Sequence, residues 1–170
     1  MRAYAPFFEW PARGRKELGV VEELVLALNR SAGLSLHSPT EFFPDPPDCV
    51  CLDAAGNAIA VEVTEIGCEE SVRRNAQGEM VYRVWRSGEL RGEVSRALTA
   101  KDRKVFHGGP YHSVIACLFT DEPALSVTDA AAELGGEMFG PFAQLTDAYL
   151  LFSYQPTTKS YPTIPLGMRQ

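Results

Sequence analysis

The chain has 170 residues, with 16 Lys and Arg against 22 Asp and Glu, a formal charge of −6, and it is 45% hydrophobic and 22% charged. That composition is typical of a globular protein and argues against disorder. The length suits one domain with a sizeable core, and no run approaches the ~20 apolar residues of a membrane span. The acidic total alone would argue against nucleic acid as a partner, but the outcome depends on where the charges sit.

An aromatic, Pro-punctuated arm (Phe7, Phe8, Trp10) occupies residues 1–14 and is expected to pack without regular structure. From about Arg15 to Asn29, the residues Val20, Val21, Leu24, Val25 and Leu28 recur at helical spacing and give one apolar face, and the polar and Gly residues to Gly33 stop the helix. A Pro-rich approach, Pro39 to Asp48, cannot lie inside a central strand, so Cys49–Leu52 is the earliest firm strand after it. Asp53–Asn57 reads as a turn, and Ala58–Ile66, rich in β-branched residues, as the second strand of a hairpin, with room for a further strand before the pair. Residues 67–88 are polar and irregular, with a short hairpin at Glu79–Arg86 as an option.

Leu90, Val94, Ala97, Leu98 and Val105 mark a second amphipathic helix, ended by His107-Gly108-Gly109-Pro110. Ser113–Phe119 is a nearly continuous apolar run, as expected of a strand buried on both faces. A short helix at Val127–Leu134 and another buried strand at Asp147–Ser153 follow, and residues 154–170, with three prolines, are expected to trail over the surface. The order implies an α/β fold, a mixed central sheet flanked by helices, in a single domain over 1–170 with its core at about 15–153.

The four cysteines suggest neither a zinc site nor a disulfide framework. Cys49 and Cys51 are one residue apart, unlike the usual ligand pairs, while Cys68 and Cys117 stand alone. The stretch MRAYAPFFEWPARGRK lacks the apolar run of a signal peptide, so reduced cysteines and a cytoplasmic location are expected.

One constellation carries chemistry: Pro47-Asp48, thirteen residues, then Glu62-Val63-Thr64. Alternation along the second hairpin strand places Ala58, Ala60, Glu62 and Thr64 on one face and Ile59, Val61 and Val63 on the other. A carboxylate on a core strand needs a partner or a metal, since leaving it unpaired costs on the order of several kcal/mol. Two carboxylates meeting across a hairpin offer the hard oxygens that Mg²⁺ prefers. On the second helix Lys101 follows Val94 by seven residues and so lies about 20° from it, on the apolar stripe. Lys104 lies about 80° from the stripe centre. Glu17 is in line with Val21, Leu24 and Leu28 on the first helix.

This arrangement resembles the PD-(D/E)XK nuclease superfamily, in which an Asp begins one hairpin strand and a (D/E)-x-K triplet lies on the next. The stretches ALTAKDRKVFHGGPYHSVIACLF and AQLTDAYLLFS are similar to the helix, buried strand and closing strand after the triplet, so the likeness covers roughly residues 15–153. It implies an αβββαβ restriction-endonuclease-like core and hydrolysis of phosphodiester bonds in DNA or RNA. Asp48 and Glu62 would bind Mg²⁺ or Mn²⁺. Thr64 stands where the family has its Lys, and a hydroxyl cannot supply positive charge. The family is known to relocate this Lys to a neighbouring helix, which makes Lys101 the first choice, Lys104 the second, and leaves Thr64 to orient water. The same migration makes Glu17 a candidate third acid.

Other readings stand beside this one. Glu62 and Lys101 also suit a buried ion pair tying helix to sheet, and the chain then reads as a non-catalytic nucleic-acid- or protein-binding domain of the same fold with a vestigial site. Asp53, Glu65, Glu69 and Glu70 read as turn and surface residues, and His107 and His112 as turn residues; His37 carries no signal. No Walker, G-x-G-x-x-G, H-E-x-x-H or G-x-S-x-G motif is present. Between Arg73 and Lys104 nine basic residues face four acids, a local charge of +5 that leaves −11 for the remainder. A basic footprint on DNA or RNA would therefore be local and salt-sensitive, the alternative being a solvated helix face.

Overall fold

Three helices and seven strands make up the described part of the chain, a computed structural model covering residues 13–67, 84–122 and 124–169. The first helix, α1, is Arg13–Ser31. It ends where Asn29 turns back on the connection that follows, its amide donating to the Leu36 carbonyl at 2.8 Å and its Oδ1 accepting from the Leu36 N–H at 2.9 Å. Strand β1 (His37–Glu41) is the optional strand before the hairpin. It lies exposed at the sheet edge, and its pairing slips at Ser38-Pro39, where proline is tolerated.

Strands β2 (Cys49–Leu52) and β3 (Ala58–Glu65) form the expected hairpin, with Cys49 opposite Val61 and Leu52 opposite Ala58. Asp53 closes its turn by accepting the N–H groups of Ala55 and Asn57. The chain then crosses through α2 (Glu89–Asp102) to β4 (Ser113–Thr120), which runs parallel to β3. After α3 (Val127–Leu134) and the two-residue β5 (Met138–Phe139), strand β6 (Asp147–Phe152) adds parallel to β4, and β7 (Thr163–Met168) returns antiparallel to β6. The sheet order is β1-β2-β3-β4-β6-β7-β5, an α/β architecture with a mixed seven-stranded sheet.

Helix α1 covers one face of the sheet. Val20, Val21, Leu24, Val25 and Leu28 pack there against Cys49, Cys51, Ile59, Val61, Val63, Ile115 and Cys117. Helices α2 and α3 cover the other face, where Leu90, Val94, Leu98, Ala130 and Leu134 meet Ala60, Val114, Ala116, Leu118, Ala148 and Leu150. The face assignment within β3 follows the alternation read from the sequence.

Two expectations need correction. Residues 154–170 do not simply trail, because β7 pairs with β6 along Thr163–Leu166. Pro165 is tolerated because β5 reaches only Gly167 and Met168, leaving the proline on an open edge. Gly167 is needed at that junction, since a Cβ there would lie 2.4 Å from the Glu137 carbonyl oxygen. Helix α2 stops at Asp102 rather than running to Val105, which is 74% exposed. Its end is set by tertiary contacts. The Asp102 carboxylate accepts the N–H groups of Ala143, Gln144 and Leu145 at 2.8–3.0 Å, and the Gln144 side chain donates to the carbonyls of Asp102 and Lys104. The aromatic arm up to residue 12 and most of the segment holding the optional Glu79–Arg86 hairpin lie outside the described residues.

Candidate functional site

The β2–β3 register sets the site. With Cys49 opposite Val61, the residue before Cys49 falls opposite Glu62, so both carboxylates reach the end of the hairpin on the α2 face. Each side chain bonds to the other's strand. The Asp48 N–H donates to Glu62 Oε1 at 3.2 Å, and the Val63 N–H donates to Asp48 Oδ2 at 2.7 Å. Glu62 is fully buried, with Ala116 beside it on β4 and Ala60 two residues before it, so small neighbours leave room for its side chain.

Helix α2 supplies the opposing charge. Its buried residues are Leu90, Val94, Leu98 and Lys101, spaced 4, 4 and 3 apart, so the lysine continues the apolar stripe onto the sheet. Lys101 Nζ lies 2.7 Å from Glu62 Oε2 and 3.4 Å from Asp48 Oδ2. Just past the helix, Lys104 Nζ lies 2.8 Å from the same Glu62 oxygen and 3.5 Å from Asp45 Oδ1. Partial burial pulls the Lys104 ammonium down, but its contacts with Glu62, Asp48 and Asp45 outweigh this and hold it above the ordinary lysine range.

The result is a chain of alternating charge, Asp48–Lys101–Glu62–Lys104–Asp45, running from the sheet interior to solvent. Two loops form its outer end. The His107 N–H donates to the Pro46 carbonyl at 2.9 Å, joining the segment after α2 to the approach of β2. Gly108 makes this approach possible: its φ is +75°, and a Cβ there would lie 2.3 Å from the Phe42 ring. The largely exposed side chains of Phe43 and Val105 belong to these same two loops.

Asp45, Asp48 and Glu62 each offer a carboxylate oxygen, and the three lie within 4.8 Å of one another. Asp45 escaped the sequence reading. Its only signal was its position three residues before Asp48 within the proline run. Glu17 is not in this group: α1 packs on the opposite face of the sheet, and the Glu17 charge acts instead on the Cys49 thiol there. Thr64 follows Glu62 on the same face by alternation, half-buried beside Leu118, and its hydroxyl takes no part in the bonds that join the cluster. The side chains of His107 and His112 are exposed, and neither takes part in the ion pairs that make up the charged chain.

The basic segment is only partly described, since Arg73, Arg74 and Arg83 fall outside the described residues. Of the rest, Arg91 pairs with Glu137 and Arg96 with Glu93, while Lys101 and Lys104 turn onto Glu62. Arg86 and Arg103 are exposed. Among the described residues no helix is long and apolar enough to cross a membrane.

The chain matches no protein-family model, no curated protein and no solved structure. Its likeness to a nuclease superfamily therefore rests on its own residues.

Proposed function

We propose that the chain is a divalent-cation-dependent phosphodiesterase acting on DNA or RNA, built on the αβββαβ core of the PD-(D/E)XK nucleases. Support for the core comes from the element order. Helix α1 is followed by three consecutive antiparallel strands, and then α2 leads to β4 parallel to β3. The observation that carries the activity is the convergence of Asp48, Glu62 and Asp45 within 4.8 Å, with the Lys101 ammonium 2.7 Å from Glu62.

The residues suit Mg²⁺ or Mn²⁺. Carboxylate oxygens are the hard donors these cations take, and Asp48 Oδ1 accepts no hydrogen bond from the described residues. Asp48 and Glu62 would hold the cation, with Asp45 in the place first assigned to Glu17. When bound, it would polarise a phosphoryl oxygen and lower the pKa of a water. Lys101, fixed between Glu62 and Asp48, supplies the positive charge that Thr64 cannot, and offsets charge building on the phosphoryl oxygens. Thr64 orients a water by hydrogen bonding, a minor role. Arg86 and Arg103 are exposed and would offer phosphate contacts, and the 73–83 stretch adds three more basic residues to the sequence nearby.

One observation favours the non-catalytic alternative. Glu62 Oε2 already faces two ammonium groups, so the cluster is nearly balanced as a structural ion-pair chain. Incubation with plasmid and single-stranded substrates in Mg²⁺ or Mn²⁺ separates the two. The proposed activity gives cleavage that falls by on the order of 100-fold in Asp48→Asn and Glu62→Gln, the scale on which one electrostatic element of a site acts. No cleavage by the wild type, or equal cleavage by both folded variants, leaves the binding-domain reading.

A further inference from the structure

Two lysines meet one oxygen of Glu62, and they are not equivalent. The Lys101 side chain is 11% exposed and lies between two buried acids, Glu62 and Asp48. The Lys104 side chain is 32% exposed and bridges Glu62 to Asp45, whose side chain is mostly in solvent. Glu62 and Asp45 are two of the three carboxylates whose oxygens cluster within 4.8 Å. The Lys104 ammonium therefore sits between the groups that would share a divalent cation.

We infer that Lys104 is a built-in stand-in cation: it holds the outer half of the site at rest, gives up its place when a divalent cation binds, and then turns its freed ammonium to the anionic oxygens of the substrate. The inference rests on the cation-dependent reading above and goes further by assigning the two lysines different tasks.

Electrostatics makes the exchange one-sided. Three carboxylates and two ammonium groups leave the resting cluster one negative charge in excess. Adding a dication without releasing a lysine would crowd three cationic centres around Glu62 at hydrogen-bond range, where low dielectric strengthens repulsion. One ammonium must leave. Lys101 cannot leave cheaply, because its side chain is buried and its departure would uncover Asp48 as well as Glu62. Lys104 has water on one side and a flexible four-carbon stem, so its ammonium can move into solvent while its backbone stays in place.

That backbone is well held. The Lys104 N–H donates to the Lys101 carbonyl at 3.2 Å, and the Lys104 carbonyl accepts from the Gln144 amide at 2.6 Å. The released ammonium thus remains tethered at the rim, within side-chain reach of any anion drawn to the cation.

The test is a titration of Mg²⁺ and Mn²⁺ by calorimetry and by melting temperature, on the whole chain at low ionic strength, in the wild type, Lys104→Met and Lys101→Met. Removing the stand-in should tighten cation binding in Lys104→Met by about tenfold or more, with a larger rise in melting temperature at a given cation concentration. Lys101→Met relieves the same crowding at Glu62, so the labelling measurement below is what tells the two lysines apart. A second measurement needs no variant: acetylation of the wild type with a limiting amine reagent, followed by mass spectrometry. Adding Mg²⁺ should raise labelling of Lys104 several-fold and leave Lys101 protected. If the wild type binds the cation but Lys104→Met binds it no more tightly, and Lys104 labelling does not rise, the stand-in role is wrong and the cation reading survives. If neither protein binds a divalent cation, both are wrong.

Discussion

Adjacent residues of β3 face opposite demands. Val61 and Val63 point to the α1 side, where every neighbour in the cluster is apolar, a thiol or a tyrosine. Glu62, between them, points to the α2 side, fully buried, and meets two lysines and the Asp48 N–H just before β2. The α1 face needs only burial, which is non-directional and tolerates neighbours of about the right size. The α2 face at this point needs named partners from three segments: the approach to β2, the last turn of α2, and the loop after it. One face stabilises the fold through contact area, whereas the other does so only while its set of charges is complete.

The sharpest way to expose this difference is to remove one item from each face. Lys101→Met leaves Glu62 and Asp48 buried without their inner cation and should cost about 3–5 kcal/mol, as breaking a buried pair does. Leu24→Ala, in the α1 core, should cost a similar about 2–5 kcal/mol through lost transfer energy and a cavity. Urea titrations would give both values, and a second substitution then separates them. Adding Glu62→Leu to Lys101→Met should restore part of the loss, because it removes one of the two stranded carboxylates and leaves only Asp48 without its cation. No change of charge elsewhere should restore Leu24→Ala. If Lys101→Met proves as mild as an exposed substitution, the contrast between the faces fails.

How much of this was legible beforehand depends on which physical signal each residue carried. Period 2 along β3 put Glu62 opposite in sense to Val61 and Val63, and the 3.6-residue period of α2 put Lys101 on its inward stripe; the structure has both where those periods place them. Glu17 is instructive because it too lies in line with an inward stripe. Helical periodicity tells which side of a helix faces the sheet, but not which side of the sheet receives the helix, and α1 lies on the side away from Glu62. Asp45 carried no periodic signal because loop geometry depends on tertiary contacts, here the His107–Pro46 hydrogen bond and the Phe42–Gly108 packing. The end of α2 was hidden for the same reason. Val105 continued an apolar pattern by composition, yet distant backbone N–H groups at 143–145 fix Asp102 as the last helical residue. Strand β7 was masked by prolines whose exclusion from strands lapses on an open edge.

The Asp102 clamp gives a smaller prediction on the charged face. Burial pushes its carboxyl up, but the three N–H donors from Ala143, Gln144 and Leu145 more than offset this, and its pKa lies below the ordinary aspartate value. A depressed carboxyl contributes stability that is present above its unfolded pKa and lost as pH falls through the lower folded value. The clamp should therefore hold at neutral pH and weaken only below about pH 4. Asp102→Asn keeps one acceptor but loses the charge, and should cost about 1–2 kcal/mol at pH 7. The difference from wild type should shrink as pH falls below that range. Because Asp102 adjoins Lys101 and anchors the turn to Lys104, the same variant should also loosen the amine protection of both lysines. A structural clamp unconnected to the cluster would leave that protection unchanged.

The apolar face offers the smallest effect and the cleanest control. Cys49, Cys51 and Cys117 are free and buried there. Burial is the first cause that pushes the Cys49 thiol up to about 12, with the charges of Asp48, Glu17 and Glu41 adding to it, and the Cys51 thiol rises to about 11. Cys117 is raised further, again by burial. The thiolate is the reactive form, so at pH 8 these three should resist alkylation in the native protein and react readily in denaturant, with each site read by mass spectrometry. Leu24→Ala, which opens the α1 core against Cys49 and Cys51, should raise their labelling. Lys101→Met should do so only as far as it lowers global stability, since its damage lies across the sheet. Equal labelling of Cys49 in the two variants at matched stability would mean that the two faces loosen as one unit and that the sheet does not insulate the charged cluster from the apolar core.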